Sequence, residues 1–434
     1  MLPFQRYVSH LSKVISPPAD TELFSGLPRV SAAAEYETST EKRDRTLKHT
    51  LKANHHNYSI LYGPLPYHNH LPHVLGTAYL MGAEAPYLQE LYDEVGRELS
   101  PWIDSPHEIA KDEWREWLGD KSCQRAYLDF FEDEMVTRGY DWKDVVDEFM
   151  FRGKGPLLYG AIGGLGHPLI HLGYAYELNS CELAMEALSL AATCYDLNIY
   201  VDPGLAPPLP PPSASTPAPS SSPLTLLNHL RTDPRFTQSP FSHPGESNIA
   251  PLLSSPTLSP ALREYQSALL ITTTSIPVIL ADLTKTAAQL LISSADVGGE
   301  EGKYDFFLAH LLTTAWAART VITEVPVGMA ETLVRAHWLF VCIVFVAQQR
   351  PQIKPLVPGD KGKEWDELYK LALAHKGGRG EGDETADTHY LKVVRTLRES
   401  AKLWGDADGF YINAANQFAH GFAGWGGFGP GEGM

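Results

Sequence analysis

The chain has 434 residues, 44% hydrophobic and 20% charged, which is enough for a deep core and too apolar for a wholly disordered polymer. Its 52 acidic residues against 35 basic ones give a net charge of −17 and argue against nucleic acid or an anionic membrane surface, both of which need clustered Lys and Arg. The four cysteines (Cys123, Cys181, Cys194 and Cys342) form no C-x-x-C pair, so neither a disulfide framework nor a cysteine-rich zinc site is expected, and a reducing cytoplasmic setting fits.

Taken in chain order, the pattern predicts helices almost throughout. The opening MLPFQRYVSHLSKVISPP lacks the charged and apolar blocks of a secretory signal. Residues 86–99 place Pro86 in a first turn and Leu88, Leu91, Tyr92 and Val95 on one face. Residues 123–137 align Tyr127, Phe130, Phe131 and Met135 in the same way. A long apolar stretch, 168–195, reads as two helices broken near Asn179-Ser180. The period recurs at 278–293, 304–323, 329–349, 364–375 and 385–403. Within it Trp338 to Ala347 is about half of the roughly 20 residues that a bilayer span needs, so a buried core helix is predicted. Alternating β-branched runs are almost absent, and the fold class is all-α. Residues 203–223, PGLAPPLPPPSASTPAPSSSP, cannot build a core and predict a mobile insert. Polar residues of interest lie on both sides of it, which favours one large domain over 1–434 interrupted by a surface insert. The stretch 377–387 is rich in Gly and acids, and the Gly-rich tail from Gly421 is expected to cover a surface.

Chemistry concentrates in the histidines. There are seventeen, six of them between His49 and His73. His70 and His73 share a face at a helix start that Asn69 can cap. The alternative is a polar cap region that happens to be histidine-rich. His167 and His171 stand i, i+4 apart with Pro168 suited to the first turn, the spacing by which a helix offers two nitrogens to one metal. Two core histidines bonded to backbone carbonyls would read the same. His310 and His337 lie in apolar helices, where a lone histidine is usually a satisfied core residue. His389 and Lys392 share a face at i, i+3, and two valines follow Lys392, so its amine is a candidate for the interior. Desolvation lowers the pKa of such an amine, and the neutral form can capture carbon dioxide to give a carbamate, an anionic oxygen ligand. The plainer alternative is a snorkelling surface lysine.

Other motifs fail. The glycines from Gly160 to Gly166 lack the G-x-G start and the βαβ setting of a dinucleotide loop and read as a helix-entry turn. No phosphate-binding P-loop or nucleophile elbow is present. Glu132 and Glu134 are expected on a solvated face.

Four stretches together resemble the questin oxidase-like family of fungal and bacterial proteins: HNHLPHVLGTAYLMGA (68–83), GLGHPLIHLGYAYE (164–177), KYDFFLAHLLTTAWAAR (303–319) and ADTHYLKVVRTL (386–397). They run in the family's order over most of the chain. Two departures stand out: Val74 follows His73 where many relatives carry another histidine, and the Pro/Ser insert is long. The resemblance implies a non-haem Fe(II) oxygenase that uses dioxygen to cleave a ring of an anthraquinone-type aromatic polyketide in secondary metabolism. It implies nitrogen ligands from His70 or His73, His167, His171 and His310, with Lys392 as a carboxylated lysine. Tyr79, Phe307 and Trp316 are pocket candidates by their nearness in sequence. The competing readings are a flavin- and NADPH-dependent Baeyer–Villiger oxidase, for which no nucleotide fold is visible, a non-catalytic helical binding protein, and a zinc hydrolase.

Overall fold

Apolar side chains at helical spacing fill the chain, and nearly all of them fold as α-helices. The computed structural model describes residues 27–30, 32–33, 38–63, 65, 67–153, 156–196, 215–237, 241–356, 362–377 and 385–432. The N-terminal third holds α1 (Lys42–Asn57), α2 (Leu71–Leu80), α3 (Ala85–Gly96), α4 (Gln124–Thr137) and α5 (Trp142–Val146). The middle holds α6 (His167–Leu178), α7 (Cys181–Thr193), α8 (Pro223–Thr232), α9 (Pro234–Thr237), α10 (Ile249–Ser254) and α11 (Leu258–Ala268). The last part holds α12 (Ile276–Ser293), α13 (Phe306–Ile322), α14 (Val327–Ala347), α15 (Trp365–Ala374), α16 (Thr388–Trp404) and α17 (Phe410–Gly421).

The core sits where α6 packs on α7 and α13, and α13 packs in turn on α12, α14 and α16. Every residue of α6 is buried, as is almost all of α7 and α13, so these helices are apolar on all sides. The predicted stretch 168–195 breaks where expected: Asn179 takes a left-handed φ of 52°, and the Ser180 hydroxyl caps α7 by accepting from the Leu183 amide. α14 is long and apolar enough to cross a membrane by composition, yet 78% of its apolar window is buried inside the protein.

Strands among the described residues are short. β1 (Leu61–Tyr62) pairs antiparallel with β2 (Tyr67–His68), setting His68 opposite Leu61. β3 (Lys303–Asp305) pairs parallel with β4 (Gly424–Gly426), which ties the glycine-rich tail to the start of α13.

Of the Pro/Ser-rich run, residues 203–214 lie outside the described residues. Residues 215–223 are anchored, contrary to the expectation of a mobile loop. The Ser220 amide donates to the Ala268 carbonyl at 2.9 Å, and its carbonyl accepts from Leu270 at 2.9 Å. The Ser222 hydroxyl then caps α8, and Pro223 opens it. Serine before proline is helix-start chemistry, and this local signal overrides the loop-like composition.

Candidate metal centre

Four segments carry the histidine cluster, and each is fixed by local backbone chemistry. β2 and the entry to α2 carry His68, His70 and His73. Asn69 steadies that entry: its Oδ1 accepts from the Leu71 amide at 3.0 Å, and its Nδ2 donates to Asn54 at 2.9 Å. α6 begins at His167, with Pro168 in its first turn as the sequence predicts. The turn before it needs Gly164, which has φ of +50° and passes so close to His68 that a Cβ would lie 2.6 Å from its Nε2. α13 and α16, which carry His310 and His389, are each capped by a buried aspartate. Asp305 accepts from the amides of Phe307 and Leu308, at 2.9 and 3.0 Å. Asp387 accepts from those of His389 and Tyr390, at 2.8 and 2.9 Å, and from Trp425 Nε1 at 2.7 Å. Burial raises both carboxyls, Asp305 to about 7 and Asp387 to about 6.

The rings converge. His68 stacks on His167 with centroids 4.0 Å apart, and His70 meets His389 at 4.7 Å. His310 lies 5.0 Å from both His167 and His389. The ligand-capable nitrogens of His70, His167 and His389 all lie within 4.8 Å of one another. Two nitrogens on opposite sides of a divalent transition ion stand roughly 4.2 Å apart, so small ring movements bring all three to one ion.

Hydrogen bonding decides the tautomers. His70 Nδ1 lies 2.6 Å from the His68 carbonyl, and His167 Nδ1 lies 2.6 Å from the Gly164 carbonyl. A carbonyl can only accept, so both Nδ1 atoms carry the proton. The two Nε2 atoms then turn lone pairs towards each other at 2.8 Å. His310 repeats the arrangement: Nδ1 donates to the Phe306 carbonyl at 2.9 Å, and its buried Nε2 has no hydrogen-bond partner among the described residues. The buried Nε2 of His389 is likewise without a partner. Burial, with Lys392 close by, pushes the pKa of His70, His167 and His389 well below the ordinary range, and that of His310 to about 3. Neutral imidazoles with anchored Nδ1–H and bare Nε2 are the form in which histidine binds metals. Lys392 is 1% exposed, its Nζ has no hydrogen-bond partner among the described residues, and burial lowers its pKa to about 7. The snorkelling alternative is thereby excluded.

His73 and His171 form a separate pair behind this group. His73 Nε2 lies 3.1 Å from His171 Nδ1, and His171 Nε2 donates to Glu186 at 2.6 Å. Glu186 also holds His55 Nδ1 at 2.8 Å, and His55 Nε2 meets Glu132 at 2.7 Å. The i, i+4 spacing of His167 and His171 thus serves two partners one turn apart, because Glu186 on α7 claims the deeper ring. Burial opposes a charge on His55, but its hydrogen bonds to Glu132 and Glu186 outweigh that and raise it to about 10. Burial likewise opposes ionisation of Glu186, and its bonds to His171 and His55 hold it down to about 2. Glu132 and Glu134 are therefore not a solvated face: one ends this chain, and the other pairs with Lys111 and Arg138. His337 remains a core residue bonded to Thr314 at 3.2 Å.

A cavity of about 610 Å³ opens onto His68, His70, His167 and His389. Phe306, Phe307 and Phe428 give it aromatic walls, and Tyr62 and Tyr67 line it further. Of the predicted pocket residues, Phe307 is there. Tyr79 is instead bonded to Asp44 at 2.8 Å, and Trp316 to Glu177 at 3.0 Å, because their faces of α2 and α13 point away from the cavity. His389 and His68 were not singled out as ligands from the sequence. The signals that carry them are the i, i+3 spacing of His389 with Lys392 and the alternation of His68 with His70.

An all-helical body whose helices turn neutral histidines and one buried lysine into a single interior cluster defines the class of protein. The particular family follows from comparison: the questin oxidase-like family model matches residues 67–397, and the chain belongs to that family of oxidoreductases. A Baeyer–Villiger oxidase, AgnL3, of Paecilomyces divaricatus is 26% identical over 382 residues, 80% of this chain and 76% of that protein. A questin oxidase of Aspergillus fumigatus is 23% identical over 404 residues, 87% of this chain and 85% of that one. The oxidoreductase AflY of Aspergillus parasiticus is 25% identical over 361 residues, 76% of this chain and 67% of its own.

Proposed function

We propose that this protein is a non-haem iron oxygenase that opens a ring of a flat, anthraquinone-type aromatic polyketide, in a cytoplasmic step of secondary metabolism. One observation supports the metal: His70 and His167 face each other with bare Nε2 lone pairs at 2.8 Å, a contact that repels unless both lone pairs share a cation. The names of the relatives, questin oxidase and Baeyer–Villiger oxidase, support the oxidative ring chemistry.

The residues present fit iron(II). His70, His167, His310 and His389 would hold it through neutral imidazoles, and Lys392 would add an anionic oxygen after capture of carbon dioxide. In that capture the Nζ–C bond forms and one proton leaves the amine. When bound, the iron would supply the activation of dioxygen. The rest is done by side chains of this chain. Phe306 lies 4.8 Å from the His310 ring and 4.6 Å from the His389 ring, so a flat substrate stacked on it sits beside the cluster. Phe307 and Phe428 keep that space apolar and exclude water. Asp305 and Asp387 hold the two helix starts that aim His310 and His389. A reductant such as NADPH is needed only if the substrate enters in its oxidised quinone form.

Oxygen uptake by iron-loaded and zinc-loaded protein, with an anthraquinone hydroquinone as substrate, tests this. Uptake with a ring-opened product from the iron form alone is expected. Equal uptake by the zinc form, or a flavin chromophore in the active protein, would contradict it.

A further inference from the structure

A second cavity, about 340 Å³, lies farther along the helices that carry the cluster, between the C-terminal halves of α6, α13 and α16. Its charged walls are Arg319, Arg395 and Lys402 against Glu177 and Glu399. Cations thus outnumber carboxylates there, in a chain whose net charge is −17.

Both carboxylates are already engaged. Glu177 is gripped by the two terminal nitrogens of Arg395, with Nη1 at 3.0 Å, and accepts from Trp316 Nε1 at 3.0 Å. Glu399 accepts from Lys402 Nζ at 2.7 Å and from the Tyr369 hydroxyl at 3.4 Å. Arg319 is left over. It is 4% exposed, its Nη2 donates to the Pro28 carbonyl at 2.7 Å, its Cζ lies 5.4 Å over the Trp316 ring, and its buried Nε has no hydrogen-bond partner among the described residues. Burial lowers its pKa, and Glu177 and Glu399 attract it only from beyond ion-pair distance. A buried guanidinium without a counter-ion is costly, and its cost falls when an anion enters the space beside it.

We propose that this cavity is a binding site for a small organic carboxylate. Arg319 is the counter-ion, the planar guanidinium matching a planar carboxylate. The Trp316 indole is the apolar wall for the ligand's body. The volume is at the small end of ligand pockets and suits a one-ring acid rather than a polycyclic substrate. The site is separate from the histidine cavity and stands whether or not that cavity holds iron.

Calorimetric titration of the full chain tests it, with benzoate as the probe, benzamide as its neutral counterpart and inorganic phosphate as a second anion. Benzoate is expected to bind one to one, and benzamide about 10-fold more weakly or worse, the loss of one charged contact. Arg319→Met should remove benzoate binding, and Arg319→Lys should retain part of it. Phe428→Ala, in the wall of the first cavity, should leave it unchanged. Equal binding of benzoate and benzamide, which needs no variant, would overturn the proposal. So would full affinity in Arg319→Met, loss in Phe428→Ala alone, or phosphate binding more tightly than benzoate.

Discussion

Lys392 shows how much a single side chain can carry. Its ammonium would be buried beside the imidazoles of His68, His70, His73, His167, His310 and His389, with no hydrogen-bond partner among the described residues, and burial, opposed by Asp387, brings its pKa to about 7. Such a residue weakens the metal-free fold, and in the proposed ligand role it would strengthen the loaded one. Lys392→Met, similar in volume and without a charge to bury, should therefore stabilise the metal-free protein by roughly 1–3 kcal/mol in urea unfolding. The same variant should fail to retain iron. Unchanged iron content with unchanged activity would remove Lys392 from the ligand set. From sequence, its interior position was legible through the valines that follow it. Its grouping with His70, His167 and His310 came through the family resemblance alone, because these histidines reach it from distant segments and no spacing encodes the contact.

At the scale of elements, the helix starts aim the cluster. Asp387 holds the first turn of α16 through two amides and ties it to Trp425 in the tail. Asp387→Ala should cost about 1–3 kcal/mol by loss of the cap and of the Trp425 bond. It should also lower iron affinity, since His389 lies on that first turn, whereas Asp387→Asn should keep most of both. Thermal unfolding and iron titration of the two variants separate these effects. Helix positions were largely legible: the predicted ranges 123–137, 278–293 and 329–349 fall on α4, α12 and α14. α1 and α17 were not, because α1 is rich in charge and histidine and α17 in small and amide side chains, which blur the apolar stripe. The pairing of His171 with Glu186 was equally hidden. It depends on α6 lying against α7, a tertiary fact that no spacing within α6 encodes.

For the whole molecule, the buried chain from His171 through Glu186 and His55 to Glu132 joins α6, α7, α1 and α4, and it makes stability depend on pH. His55 is raised to about 10, so the stability from its charge is complete below the unfolded value near 6.5 and is lost as pH rises towards 10. Glu186 is lowered to about 2, so its contribution is present above the unfolded value near 4.5 and is lost as pH falls towards 2. The contribution of the His55–Glu186 pair to the stability of the metal-free protein is thus full between about pH 5 and 6.5 and falls on both sides. Lys392, lowered to about 7, works the opposite way in the alkaline range, so the His55 part is read as the difference in melting temperature between wild type and variant. In His55→Gln the alkaline decline should be shallower than in wild type. Identical alkaline slopes would show that the His55 charge does not hold these helices together.

The shared cation is tested most directly by anaerobic titration of the metal-free full chain with iron(II), followed by calorimetry. The wild type should take up one equivalent. His70→Ala and His167→Ala should each weaken that uptake by at least about 10-fold while His337→Ala, which alters only a core histidine, leaves it intact. A wild type that takes up no iron, or His70→Ala and His167→Ala binding as tightly as wild type, would contradict a metal held by these rings.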